Sequence, residues 1–128
     1  MIVVDTSVLI ELLGDDEPSG IEGRIVGHRL VAPELVDLEF LHVVRRMVLS
    51  GALSTGHGSQ WIDTFCGLPL QRFPHGVLIP RIWQLRDNVT PHDAAYVALA
   101  EVLDVPLLTG DARLAAAPGV RCRIDLLE

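Results

Sequence analysis

At 128 residues, with 49% hydrophobic and 21% charged side chains, the chain can bury a sizeable core and is too apolar for disorder. No apolar run approaches the roughly 18–20 residues of a membrane span, and the opening MIVVD lacks the positive flank of a signal peptide, so a cytoplasmic location is expected. The formal net charge is −7, and all 10 basic residues are arginine; without lysine, every lysine-dependent mechanism is excluded, and phosphate binding needs a cation to offset the acids.

Ile2-Val3-Val4 is a short β-branched run that predicts a buried strand, ending at Asp5-Thr6-Ser7, which caps a helix through Leu13. Gly14-Asp15-Asp16-Glu17-Pro18 predicts a polar loop, followed by a second helix to about His28 and a strand at Leu30-Val31-Ala32. Pro33 is expected to open the longest helix, which runs to Ser50 and stops at Gly51. A helix over Ser59 to Cys66, an extended stretch from Leu68 to Phe73 and a helical stretch from Val77 to Arg86, interrupted by Pro80, come next. Thr90-Pro91 opens a helix ending near Asp104; Val105 to Leu108 predicts a strand, Asp111 to Ala117 a short helix and Val120 to Ile124 a last strand. Strands alternating with helices imply an α/β fold in which a parallel sheet is flanked by helices on both faces, with residues 1–128 forming one domain. Cys66 and Cys122 lack metal-ligand spacing and read as reduced, structural thiols.

Four carboxylates stand apart from the rest. Asp5 and Asp111 each follow a strand and head a helix, where an ordinary N-cap would explain either alone. Asp93 sits at the third helical position after Thr90, like a capping-box acid, yet it shares the apolar face with Val97 and Ala100. Glu39 lies mid-helix at the edge of the apolar face, where the plain explanation is a boundary ion pair with Arg46. Their joint placement changes the balance. In a parallel α/β sheet the strand C-termini and following helix starts share one edge, where ligands bind. Four acids converging there without a lysine repel one another, and Mg²⁺ or Mn²⁺ relieves that repulsion through oxygen ligands. Thr6, Ser7 and Thr109 are placed to support the acids. Among the other acids, Asp15, Asp16 and Glu17 read as solvated, Glu34 and Asp37 as favouring a helix start, and Asp87, Glu101, Asp104 and Asp125 show no partner pattern. The 5 histidines show no metal-binding spacing.

The segments Val3-Val4-Asp5-Thr6-Ser7-Val8-Leu9, Glu39 in the third helix, Asp93 through Glu101, and Leu107 through Leu114 together resemble the PIN-domain proteins, specifically the VapC toxins of VapBC-type toxin–antitoxin pairs. They occur in the family's order and spacing across essentially the whole chain, while Gly51 to Asn88 matches only in helical character. The resemblance implies a homodimer and a Mg²⁺ or Mn²⁺ site built by Asp5, Glu39, Asp93 and Asp111. It also implies cleavage of RNA, and inhibition by a cognate VapB-like antitoxin. A further acidic ligand in the family would fall here on Asp125, the next acid after the last motif. Arg86 and Arg113 are candidates for phosphate contact, against the plain alternative of surface or structural ion pairs.

Other metal-binding or phosphoryl-transfer readings fail on residues. A receiver domain needs adjacent acids after its first strand and a late lysine, a haloacid-dehalogenase-type phosphatase needs an acid where Ser7 stands, and a P-loop needs a Gly-Lys pair. Two alternatives stay open at this stage: an inactive interaction module of the same fold, and the same metal site acting on DNA.

Overall fold

A computed structural model describes residues 1–14 and 20–127, so the expected acidic loop at Asp15, Asp16, Glu17 and Pro18 lies outside the described residues. In chain order the elements are β1 (Ile2–Val4), α1 (Thr6–Gly14), α2 (Ile21–Ile25), β2 (Leu30–Pro33), α3 (Val36–Leu49), α4 (Thr55–Gly67) and β3 (Leu70–Phe73). A 3-10 turn (Gly76–Leu78) then runs into α5 (Ile79–Gln84), followed by α6 (Pro91–Leu103), β4 (Leu107–Thr109), α7 (Ala112–Ala115) and β5 (Ile124–Leu126).

The strands form one sheet in the order β3-β2-β1-β4-β5, and every pairing is parallel. From β1 the chain steps outward to β2 and β3, then returns across β1 to lay down β4 and β5 on the other side. Parallel crossovers are right-handed, so reversing direction moves the helices from one face to the other. The packing agrees: α1 meets α3, α3 meets α4, and α5 packs on α6, which lies across β1, β2 and β4. Residues in β1, β2 and β4 are all buried, without alternation, as strands covered on both faces must be. The fold is α/β, as the sequence implies. Its topological switch point falls between β1 and β4, which brings the residues after Val4 and after Thr109 side by side.

Helix α6 is buried continuously from Ala94 to Ala100, so it behaves as a central helix rather than an amphipathic surface one. Its start follows the expected chemistry: Thr90 Oγ1 accepts from the Asp93 N–H at 3.3 Å and Pro91 holds the first helical position.

Several boundaries differ from expectation, four of them for a tertiary reason. Pro33 ends β2 instead of opening α3, because the β2–β3 ladder continues through its pairing with Phe73. Helix α4 starts earlier, at Thr55, where Ser54 accepts from the His57 N–H at 3.1 Å. Its Gly58 weakens helix propensity but allows close approach to α3, since a Cβ there would lie 2.7 Å from Val48 Cγ2. Strand β4 excludes Val105 and Pro106, whose Val105 N–H instead bonds to Ala100 O at 3.0 Å. Strand β5 begins at Ile124, later than expected, because the preceding stretch is tied to α5 and α6. Arg81 bonds Gly119 O at 2.7 Å, and Glu101 accepts the Arg121 N–H at 2.9 Å.

Phe40 of α3 is fully buried and stacks on Phe65 of α4, with centroids 4.2 Å apart and rings 7° from parallel. Next to it in sequence is Glu39, so this stack fixes the helix that carries the acid. Phe40→Ala should cost about 3–5 kcal/mol, a large share of the roughly 5–15 kcal/mol available to a domain. Urea unfolding in chelator measures this; a loss under about 1 kcal/mol would remove the stack from the structural account.

Candidate active site

Asp5 follows β1 directly and is drawn back over the seam between β1 and β4. Its Oδ1 accepts from Ser7 Oγ at 2.5 Å and from the Val8 N–H at 3.2 Å, while Oδ2 accepts from Thr109 Oγ1. Thr109 is the last residue of β4 and wholly buried, and its Oγ1 also accepts the Asp111 N–H at 3.0 Å. Ser7 Oγ, in turn, accepts the Gly110 N–H at 3.0 Å. Asp111 caps α7 through Oδ1, which accepts the N–H groups of Arg113 and Leu114 at 2.9 and 3.3 Å. The N-cap explanation for Asp111 is therefore correct and incomplete: its carboxylate also faces Asp93.

Asp93 and Asp111 line one open cleft of about 220 Å³, with Asn88, Val89, Thr90 and Arg113 among its other walls. A larger hollow of about 630 Å³, at the opposite edge of the sheet around Leu12, Ile25 and Leu30, has no carboxylate among its described lining residues. Chemistry, not volume, selects the smaller cleft.

Burial pushes the Asp5 carboxyl above its ordinary value of 3.8, aided by the charge of Asp93 and opposed by the hydrogen bonds from Ser7, Thr109 and Val8. Asp93 is also pushed up, first by burial and then by the charge of Asp111, against Thr90, His92 and Arg113. Asp5, Asp93 and Asp111 thus form a chain of mutual repulsion.

Glu39 joins from the helical layer opposite α6. The alternative ion pair with Arg46 does not form. Glu39 Oε1 instead accepts from Tyr96 Oη at 2.5 Å and from Thr6 Oγ1 at 3.4 Å, linking α3 to α6 and α1. Burial and the bond to Glu39 push the Tyr96 phenol far above its ordinary 10.0, so it stays protonated and donates. Asp5 also lies near enough to Tyr96 for its charge to add to that shift. All four predicted acids therefore gather around the C-terminal edge of β1 and β4, with Thr6, Ser7 and Thr109 as direct hydrogen-bond partners.

The arginines divide. Arg113 borders the cleft, its side chain 96% exposed and its Nε 3.9 Å from Asp111 Oδ1, free to turn toward a bound anion. Arg86 is not brought to the cleft: its guanidinium lies 4.6 Å from the Trp83 ring centroid and donates to Trp83 O at 2.9 Å. Asp125 is likewise elsewhere, paired with Arg123 at 2.9 Å beside a separate hollow that includes Ile2 and Arg24. It does not extend the acid set. Glu101 and Asp37, which showed no site pattern, pair with Arg81 at 2.6 Å and Arg72 at 2.9 Å. Cys66 and Cys122 are free thiols.

Sequence reasoning missed Tyr96. It could have been found: a tyrosine three residues after Asp93, on a face otherwise occupied by alanine, valine and leucine, must find a partner for its hydroxyl.

The donor set fits a hard divalent cation. Every candidate ligand is a carboxylate or hydroxyl oxygen, the carboxylates repel one another, and no lysine neutralises them. Among the described residues no three Asp, Glu, His or Cys side chains are drawn close enough to enclose an ion.

The sequence profile of the PIN domain matches residues 2–120. The chain belongs to the PIN-domain family. Ribonuclease VapC1 of Mycobacterium tuberculosis is 46% identical over 129 residues, covering 98% of this chain and 97% of that protein. Among solved structures, VapBC2 of Rickettsia felis, bound to a DNA fragment from its promoter, aligns with a TM-score of 0.74 at 13% identity, covering 100% of both chains. Mycobacterium tuberculosis VapC20, a sarcin-ricin loop cleaving toxin, aligns with a TM-score of 0.68 at 15% identity, over 94% of this chain and 97% of that one. These structural likenesses bear on fold; the kinship to VapC ribonucleases rests on the sequence identity.

In this PIN domain the raised carboxyl values set the sign of a pH effect. The folded, metal-free protein binds protons more tightly than the unfolded chain, so the contribution of Asp5 and Asp93 is fully present below the ordinary 3.8 and is lost as pH rises through the raised folded values. In chelator, Asp5→Asn should therefore unfold at the same temperature as the wild type or a few degrees higher at pH 7. The difference should narrow on acidification toward about pH 5. Thermal scans across that range measure it, and a mutant markedly less stable at pH 7 would contradict the repulsion.

Proposed function

We infer that the chain is an endoribonuclease of the VapC kind, the toxin of a toxin–antitoxin pair, hydrolysing RNA phosphodiester bonds at a Mg²⁺ or Mn²⁺ centre. The observation that carries this is the gathering of Asp5, Glu39, Asp93 and Asp111 at the switch point of a chain 46% identical to Ribonuclease VapC1. Asp5, Asp93 and Asp111 are the cation's ligands, directly or through water, and Glu39 completes the shell or orients the attacking water. When bound, such a cation lowers the pKa of water and offsets the charge that builds on the phosphoryl group.

The protein's own atoms do the rest. Ser7, Val8 and Thr109 hold both oxygens of Asp5, so that carboxylate has little rotational freedom to lose on binding. Asp111 is fixed by the first turn of α7, and Arg113, two residues on at the cleft rim, is the phosphate contact. Arg86, stacked on Trp83, has no place in this assignment.

Residues 1–128 act as a single nuclease domain, located in the cytoplasm; no helix among the described residues is long and apolar enough to cross a membrane. The partners are the RNA substrate, a cognate VapB-like antitoxin and a second copy of the chain. Self-association is supported by exposed Val77, Ile79 and Trp83 on the 3-10 turn and α5, apolar area that a monomer would leave in water. Sedimentation should show a dimer at micromolar concentration, and Trp83→Glu should shift it toward monomer.

Purified protein should cleave RNA with Mg²⁺ or Mn²⁺ and stop in chelator, leaving DNA of the same sequence intact. Asp5→Asn and Asp93→Asn should each lower the rate on the order of 100-fold or more, exceeding the 10–100-fold typical of outer-shell changes. Cleavage of DNA would indicate a different substrate, and unchanged cleavage by folded mutants would move the active site elsewhere.

A further inference from the structure

The polar contacts between α1, α3 and α6 at the acid edge converge on one carboxylate oxygen. Tyr96, 2% exposed, lies in the stretch of α6 buried from Ala94 to Ala100 and is the only residue of that stretch with a polar side chain. Its hydroxyl donates to Glu39 Oε1 at 2.5 Å and lies 3.3 Å from Thr6 Oγ1, which itself donates to the same Oε1 at 3.4 Å. Both hydroxyls thus take one oxygen of the carboxylate. Oε2 receives no hydrogen bond among the described residues, yet no buried side-chain oxygen is left unsatisfied, so Oε2 is open to water.

We propose that Tyr96 is a positioning residue for Glu39, clamping Oε1 with the help of Thr6 so that Oε2 is presented to the divalent cation or its water. A carboxylate on a mid-helix glutamate has three rotatable bonds, and a long side chain at a helix boundary would otherwise sample solvent. The clamp comes from the helix that carries Asp93, one turn earlier, so the two acids are set by one rigid element. A buried tyrosine hydroxyl always seeks a partner, but a backbone carbonyl would serve as well. The choice of a carboxylate on another helix, shared with a second hydroxyl, is what orients the free oxygen.

This inference rests on the metal-dependent reading above, and the two fail differently. Wild-type protein that neither binds Mn²⁺ in calorimetry nor cuts RNA overturns that reading, and the inference with it, before any variant is made. With an active wild type, Tyr96→Phe should weaken Mn²⁺ binding about tenfold or more and lower kcat about 10–100-fold, with the RNA KM held within about threefold. The rise in thermal midpoint on adding Mn²⁺ should shrink relative to wild type, since that rise follows metal affinity. A merely structural hydroxyl lowers the chelated and the loaded midpoints alike and leaves Mn²⁺ affinity and kcat unchanged; that result overturns the proposal. In a Glu39→Gln background, Tyr96→Phe should add little further loss, whereas full additivity overturns it. Should Tyr96→Phe fail to fold, Thr6→Val poses the same question to the second hydroxyl. It should weaken Mn²⁺ binding by a smaller factor, and unchanged affinity and kcat there overturn the clamp.

Discussion

The hydrogen bond from Thr109 to Asp5 ties the end of β4 to the end of β1, and the rest of the site depends on it. A wholly buried threonine at a strand end needs a partner for its hydroxyl, and a half-buried carboxylate needs donors; each supplies what the other lacks. The same oxygen of Thr109 accepts the Asp111 N–H, so one side chain places two acids. Ser7 repeats the arrangement one position away, donating to Asp5 and accepting from Gly110. A small network of hydroxyls thus fixes the acids without any positive charge. A lysine or arginine in that role would pair with the carboxylates and compete with a cation.

That arrangement stores repulsion at one edge of the sheet. Asp5 is pushed upward by burial and by the charge of Asp93, and Asp93 by burial and by the charge of Asp111, so each carboxylate opposes the ionisation of the next. The scaffold offsets it by concentrating apolar burial beneath: β1, β2 and β4 are fully covered, and α6 runs across them with its middle seven residues, Ala94 to Ala100, wholly inside. The stiffness that tolerates the repulsion also holds the acids at fixed spacing, and a loop-borne site would relax instead.

How much of this was legible in the sequence follows from where each signal lives. The α/β class, the all-parallel sheet and the placement of the four acids toward one edge were readable, because strand ends and helix starts are local features and the switch point follows from strand order. Boundaries set by pairing across the sheet were not. Pro33 is compatible with a strand end as well as with a helix start, and only the neighbouring Phe73 decides. The late start of β5 depends on Arg81 and Glu101, separated by 20 residues and joined only in space. Glu39 shows the same limit. A helical wheel offered Arg46 as its partner, but the actual partners, Tyr96 and Thr6, lie 57 and 33 residues away in sequence. Arg86, a candidate phosphate contact in the sequence, lies over an aromatic ring three residues earlier.

The net charge of −7 bears on how such a protein meets RNA. Most nucleic-acid-binding surfaces gain affinity from many phosphate contacts, and with it indiscriminate binding that salt abolishes. Here the cleft itself is acidic, and among the described residues Arg113 is the one cationic side chain lining it. Carboxylates at the cleft repel a phosphodiester, and a bound cation would offset that repulsion. An acidic nuclease is therefore not a contradiction. A net negative charge disfavours nonspecific attraction to phosphate backbones.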